Sequence, residues 1–214
     1  MLIAREEQPN VFSVVRQAES VRDANGVHQR WEITRTWNDE ELAAVGLFRV
    51  HETQPPKGRT VVGFEVQRVG DNVEQVLELG NVVDDLINYA ALVRWQTETG
   101  GMITSHGFGV LTDRESQGMI NGAYAFLMNN PDRTIQWKKS ATEFIELTHD
   151  QMEALAIEVA EHVQNCFAAE RNVIERIIAG EITEAEQIDD EFAEPTTLQR
   201  LHPPGELRPP QQKD

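Results

Sequence analysis

Of the 214 residues only one, Cys166, is cysteine. No disulfide can close within the chain, and a secreted disulfide-stapled scaffold is excluded. Long apolar runs are missing as well. No stretch approaches the roughly 20 apolar residues that a membrane-crossing helix needs, and the start, MLIAREEQPN, has no apolar core of signal-peptide length. Synthesis in the cytosol without membrane insertion is the expectation. Cations are scarce: 19 Lys and Arg stand against 36 Asp and Glu, a formal charge of −17. Such a chain is repelled by phosphate backbones and anionic lipid surfaces, so nucleic acid is not expected as a partner.

Chemistry-bearing patterns are equally thin. The glycines of GGMITSHGFG lack the spacing and the lysine of a phosphate-binding loop. The six histidines are scattered. His162 and Cys166 lie four apart on a helical repeat, which supplies two ligands where a structural metal wants four. Ser116 has neither a nucleophile-elbow sequence nor a nearby base. Asp84-Asp85 and Asp189-Asp190 are adjacent acids of the kind found solvated, not carboxylates set across a cleft. No catalytic residue, cofactor or metal site is expected.

What the chain does hold is a core-sized apolar content, 40%, arranged as an α+β protein. Residues 1–80 read as a small β-rich domain. NVFSVV and RWEITRTW form a strand pair joined by DANG, whose Asn25-Gly26 suits a tight turn, and VVGFEVQRV and VEQVLEL form a hairpin about GDN. Between them, Asn38 and Glu41 have capping-box spacing, Trp37 and Leu42 fit a hydrophobic staple, and Gly46 offers a left-handed stop. Residues 81–180 read as a mixed domain. Val83, Leu86, Ala90 and Val93 recur at helical spacing, with Tyr89, Leu92 and Trp95 adding apolar surface on another side, and Gly100-Gly101 ends that helix. Thr112 and Glu115 again have capping-box spacing and start a helix in which Gly118, Gly122 and Ala123 leave room for another backbone. DRTIQWKKSATEFIEL is a hairpin.

Thr148 and Gln151 then cap a helix expected to run to Ala179, about 45 Å at 1.5 Å per residue. Its apolar positions mix threes and fours as an amphipathic or coiled-coil seam does, and Met152, Val159, Val163, Cys166, Ile174 and Ile177 are the candidate self-association residues of a homo-oligomer. Residues 181–214 read as an acidic, Pro-rich extended segment beyond the core. Within it Phe192, Leu198, Leu201 and Leu207 are candidate anchors for docking on a neighbouring chain.

Through RWQTETGG, LTDRESQGMINGAY, IQWKKS, FIELTHDQM and HVQNCFAAERNVIERI, residues 90–180 resemble a domain of unknown function that recurs in tail-associated proteins of tailed bacteriophages. Arg94, Glu98, Gly100, Thr112, Asp113, Ser116, Trp137 and Lys138 stand in the expected order. TWNDEELAAVGLFRVHETQPPKG is similar to a short module of phage tail-fibre and fibre-assembly proteins. The resemblance implies a virion component of the tail or baseplate, made in the host cytoplasm, whose partners are tail-fibre or baseplate proteins. It carries no catalytic residues with it.

Overall fold

Pro9 and Asn10 reverse the chain after only eight residues, Asn10 taking a left-handed φ of 62° that asparagine tolerates. Strand β1 (Leu2–Gln8) therefore pairs antiparallel with β2 (Val11–Val15), Ile3 facing Val15. This corrects the expected pairing of NVFSVV with RWEITRTW. The DANG turn instead joins two short strands, β3 (Ser20–Arg22) and β4 (His28–Arg30). Asp23 Oδ1 holds that turn by accepting from the backbone N–H of Asn25 and Val27. Residues Trp31–Arg35 form a 3-10 helix, not a strand. Its Trp31 and Ile33 pack on Ile3, Val21, Leu42 and Leu47, and Thr34 is buried with its hydroxyl on the Trp31 carbonyl. Alternating apolar residues served a single helical turn, because the turn's own carbonyls satisfied the polar groups between them.

The computed structural model describes residues 1–15, 20–139 and 142–193, in two compact units, Met1–Asp85 and a second that begins at Leu86. In the first, helix α1 (Asp39–Ala43) starts on the expected box: Asn38 Oδ1 accepts from Glu41 N at 2.8 Å and Glu41 Oε2 accepts from Asn38 N at 2.7 Å. Strand β5 (Leu47–His51) follows, then the hairpin β6 (Val61–Val69) and β7 (Asn72–Leu79). The sheet order is β2-β1-β5-β7-β6, with only the β5–β7 pair parallel. Ala4, Val50 and Val73 form one core on it, and Ile3, Val21, Leu42 and Leu47 the other. The hairpin is less buried than its alternation implied: Val62 and Phe64 are exposed and Val66 half-buried.

Helix α2 (Val82–Thr99) opens the second unit's chain, followed by the ribbon β8 (Met102–Ile103) and β9 (Gly109–Val110). Helix α3 (Arg114–Met128) leads to the hairpin β10 (Ile135–Lys138) and β11 (Phe144–Leu147), in which Trp137 faces Ile145. Helix α4 (His149–Ile178) has the expected start, Thr148 and Gln151 bonding reciprocally. The fold is α+β, with a β-rich N-terminal region and a long helix toward the C-terminus.

The expected end of the core at Gly180 is wrong for residues 181–193. Gly180, at φ 75°, turns the chain back, and the N–H groups of Glu181 and Ile182 donate to the Arg176 carbonyl. Left-handed backbone at that point costs a residue without Cβ nothing. A further helix, α5 (Ala185–Phe192), then lays Ala185, Ile188 and Phe192, with Ile182 before it, onto Leu86, Ala90, Val93, Val173 and Ile177. Acidic composition concealed an amphipathic period: Ile182, Ala185, Ile188 and Phe192 recur every three or four residues.

Candidate functional site

The residues that the sequence marked between 94 and 116 converge where α2 ends and α3 begins. Gly101, at φ 91°, donates its N–H to Thr112 Oγ1 at 2.9 Å, and a Cβ there would lie 3.0 Å from the Val110 carbonyl oxygen. Thr112 is thus spent on the incoming chain. The helix cap is Asp113, one residue later than expected, accepting from Ser116 N at 2.9 Å and Ser116 Oγ at 3.1 Å. Ser116 is buried as a donor to that cap, so its hydroxyl is occupied by a structural bond.

Beneath the junction lies a charged cluster. Glu98, with no exposed surface at all, is paired through Oε2 with Arg94 Nη1. Its Oε1 lies 2.8 Å from Arg114 Nη2, in a contact too far off line for a hydrogen bond. Arg94 Nε donates to Glu170 Oε2 at 3.0 Å, and its guanidinium lies 4.6 Å from the centre of the Phe167 ring. Arg94 is the hinge of the cluster: α2 carries it, and one side chain answers acids on α2 and α4 together. Arg114, 64% exposed at its side chain, closes the cluster from α3. Taking two acids out of water is costly unless cations come with them, which explains why both arginines are there.

Cys166 and His162 sit against this cluster. Burial, and then the Glu98 carboxylate, push the Cys166 thiol up to about 11, against a smaller opposing pull from Arg94. At neutral pH it is a thiol, which neither attacks nor ligates as a thiolate does. His162 Nε2 lies 3.2 Å from the Thr97 carbonyl and 4.0 Å from Cys166 Sγ. Among the described residues no three His, Cys, Asp or Glu side chains converge as a metal site.

A second polar group lines a cleft of about 290 Å³ beside the β8–β9 ribbon, at the small end for ligand pockets. Glu158 of α4 accepts from Ser105 Oγ at 2.5 Å and Ser105 N at 2.8 Å, and His106 Nδ1 lies 3.3 Å from the same hydroxyl. Serine, histidine and glutamate meet here, but in the wrong order for a triad. In a triad the acid orients the histidine and the histidine takes the serine proton; here the acid holds the serine and its backbone directly. The group clamps the loop between β8 and β9 onto α4. Sequence reading missed Glu158 because 53 residues separate it from Ser105.

The expected association residues divide. Met152, Val159, Cys166 and Ile177 are buried inside their own chain, so they are no intersubunit seam. Val163 and Ile174 are half-buried. Phe192 is 8% exposed and belongs to the core, so it is no free anchor; Leu198, Leu201 and Leu207 lie outside the described residues.

A family model described as "Domain of unknown function (DUF4376)" matches residues 82–193, more than half of the chain, and the protein belongs to that family. Neither a curated protein nor a solved structure matches it. The matched span ends at the close of α5, so the family's extent and the second unit's described core finish together. No helix among the described residues is long and apolar enough to cross a membrane.

Proposed function

We propose that this member of the family is a structural component of a phage tail or baseplate, linking or positioning tail fibres through protein–protein contacts. The phage setting rests on the resemblance of the segments between Arg94 and Ile177, and of TWNDEELAAVGLFRVHETQPPKG, to tail-associated proteins. The observation that carries the structural role is exposed apolar surface on the helices. Leu92 and Trp95 on α2, Met119, Phe126 and Met128 on α3, and Ile157, Phe167 and Ile178 on α4 are all exposed. Apolar exposure on three helices of one unit suits a protein made to be covered. The polar groups around Glu98 and Ser105 hold chain segments together, as a scaffold needs.

A tail-fibre assembly chaperone is the second reading, favoured by the similarity of the N-terminal module to fibre-assembly proteins. It would use the same apolar surface on nascent fibre and then leave. A glycan-degrading enzyme has less support, since that chemistry needs two carboxylates set across a cleft, and Glu98 and Glu158 are each committed to a structural partner. Mass spectrometry of purified virions separates these readings. The structural role expects the chain in finished particles at fixed ratio to fibre protein. Its recovery on fibre protein in infected cells, with none in the particles, would replace that role with the chaperone.

A further inference from the structure

We infer that the outer face of α3 is a two-fold contact with a second copy of this chain. Glu115, Met119, Gly122, Phe126 and Asn129 follow one another at intervals of four, three, four and three residues, so they make one row along the helix. All five are exposed, Met119 at 53% and Phe126 at 43%. Arg133, just beyond the helix, places its guanidinium 5.8 Å from the centre of the Phe126 ring. A Cβ on Gly122 would meet nothing within 4 Å. No neighbour in this chain therefore requires glycine at a position where glycine weakens a helix.

The row is self-complementary. When a second α3 is laid antiparallel, with the axis between Ile120 and Asn121, Met119 of each copy faces Gly122 of the other. Glu115 of each then faces Phe126 and its overlying Arg133. A long apolar side chain meets the position that lacks one, and a carboxylate meets a guanidinium, twice over by symmetry. A closed two-fold contact needs both halves of each pair on the same surface, whereas a foreign partner would supply one half itself. Charge points the same way: copies of a chain with net charge −17 repel one another except where acid and base are matched locally, as Glu115 and Arg133 are.

This inference rests on the reading of the exposed apolar helix surface as one made to be covered, and not on the phage setting. The test is sedimentation of the full-length chain at micromolar concentration, where a dimer is expected. Gly122→Leu fills the recess at a position where a Cβ meets nothing within 4 Å in its own chain, so it should keep its helical circular dichroism and sediment as a monomer. Glu115→Arg and Arg133→Glu should each weaken the dimer about tenfold, two symmetric charge pairs being lost together, and the double variant should restore it. A native chain that stays monomeric, or a dimer indifferent to all of these changes, overturns the contact. If such a monomer still enters particles, the contact is wrong and the structural role stands.

Discussion

Two ionic clusters in the second unit use the same chemistry at different depths. Around Glu98 the side chains of Arg94, Glu98 and Glu170 are at most 15% exposed. Around Arg176, which pairs with Glu181 at 3.3 Å and Glu191 at 2.5 Å, they are 35% to 62% exposed. The hydrogen bond from Arg176 to Glu191, and then their mutual charge, hold that guanidinium above its usual range, desolvation opposing. Yet the residues it gathers, 181–192, have a better anchor in Ile182, Ile188 and Phe192. The buried cluster determines whether the helices fit together; the outer one trims a segment that apolar burial already holds.

The sharpest break in that comparison is Arg94→Ala. It leaves Glu98 and Glu170 without their shared cation and should cost about 3–5 kcal/mol of the second unit's stability, read by urea denaturation. Replacing Arg94 and Glu98 together by Met and Leu should return much of that loss, since the cost lies in the orphaned charge. A loss under about 1 kcal/mol for the single variant, as for a surface pair, would place the two clusters on a level.

Ile188→Ala comes next. Removing a fully buried side chain from the face of α5 should cost about 2–4 kcal/mol, and the same chain should lose amide protection over residues 182–192. A cost near zero would mean that charge, not burial, holds this segment. For the same reason a chain ending at Gly180 should be severely destabilised, where an extended terminal segment could have been cut without harm.

Arg176→Ala is the smallest effect, a slight loss of stability. It should vanish in about 1 M salt, where the screening length falls to roughly 3 Å. An effect insensitive to salt would show that Arg176 acts through its packed alkyl chain instead.

Local signals were legible where a few neighbouring residues complete the motif. The capping boxes at Asn38 and Thr148, the hairpin turn about Gly70 and the left-handed Gly46 need nothing from afar. Near the start of α3 the errors came where partners are distant. Thr112 and Asp113 both had capping chemistry, and the arrival of Gly101 decided between them by taking the Thr112 hydroxyl. Arg114 had no role in a helix start, and acquired one from Glu98, sixteen residues earlier.

By itself, then, the sequence determined the class of fold, the exclusion of a disulfide framework, the starts of α1 and α4 and the length of α4, because period, caps and composition act within a turn or two of the chain. Tertiary structure decided which face of α4 is inside, that Ile182, Ile188 and Phe192 belong to the core, and that Glu98 is sealed between two arginines. Each of those depends on residues far apart in sequence meeting out of water, where an apolar contact or an unpaired charge has its largest effect.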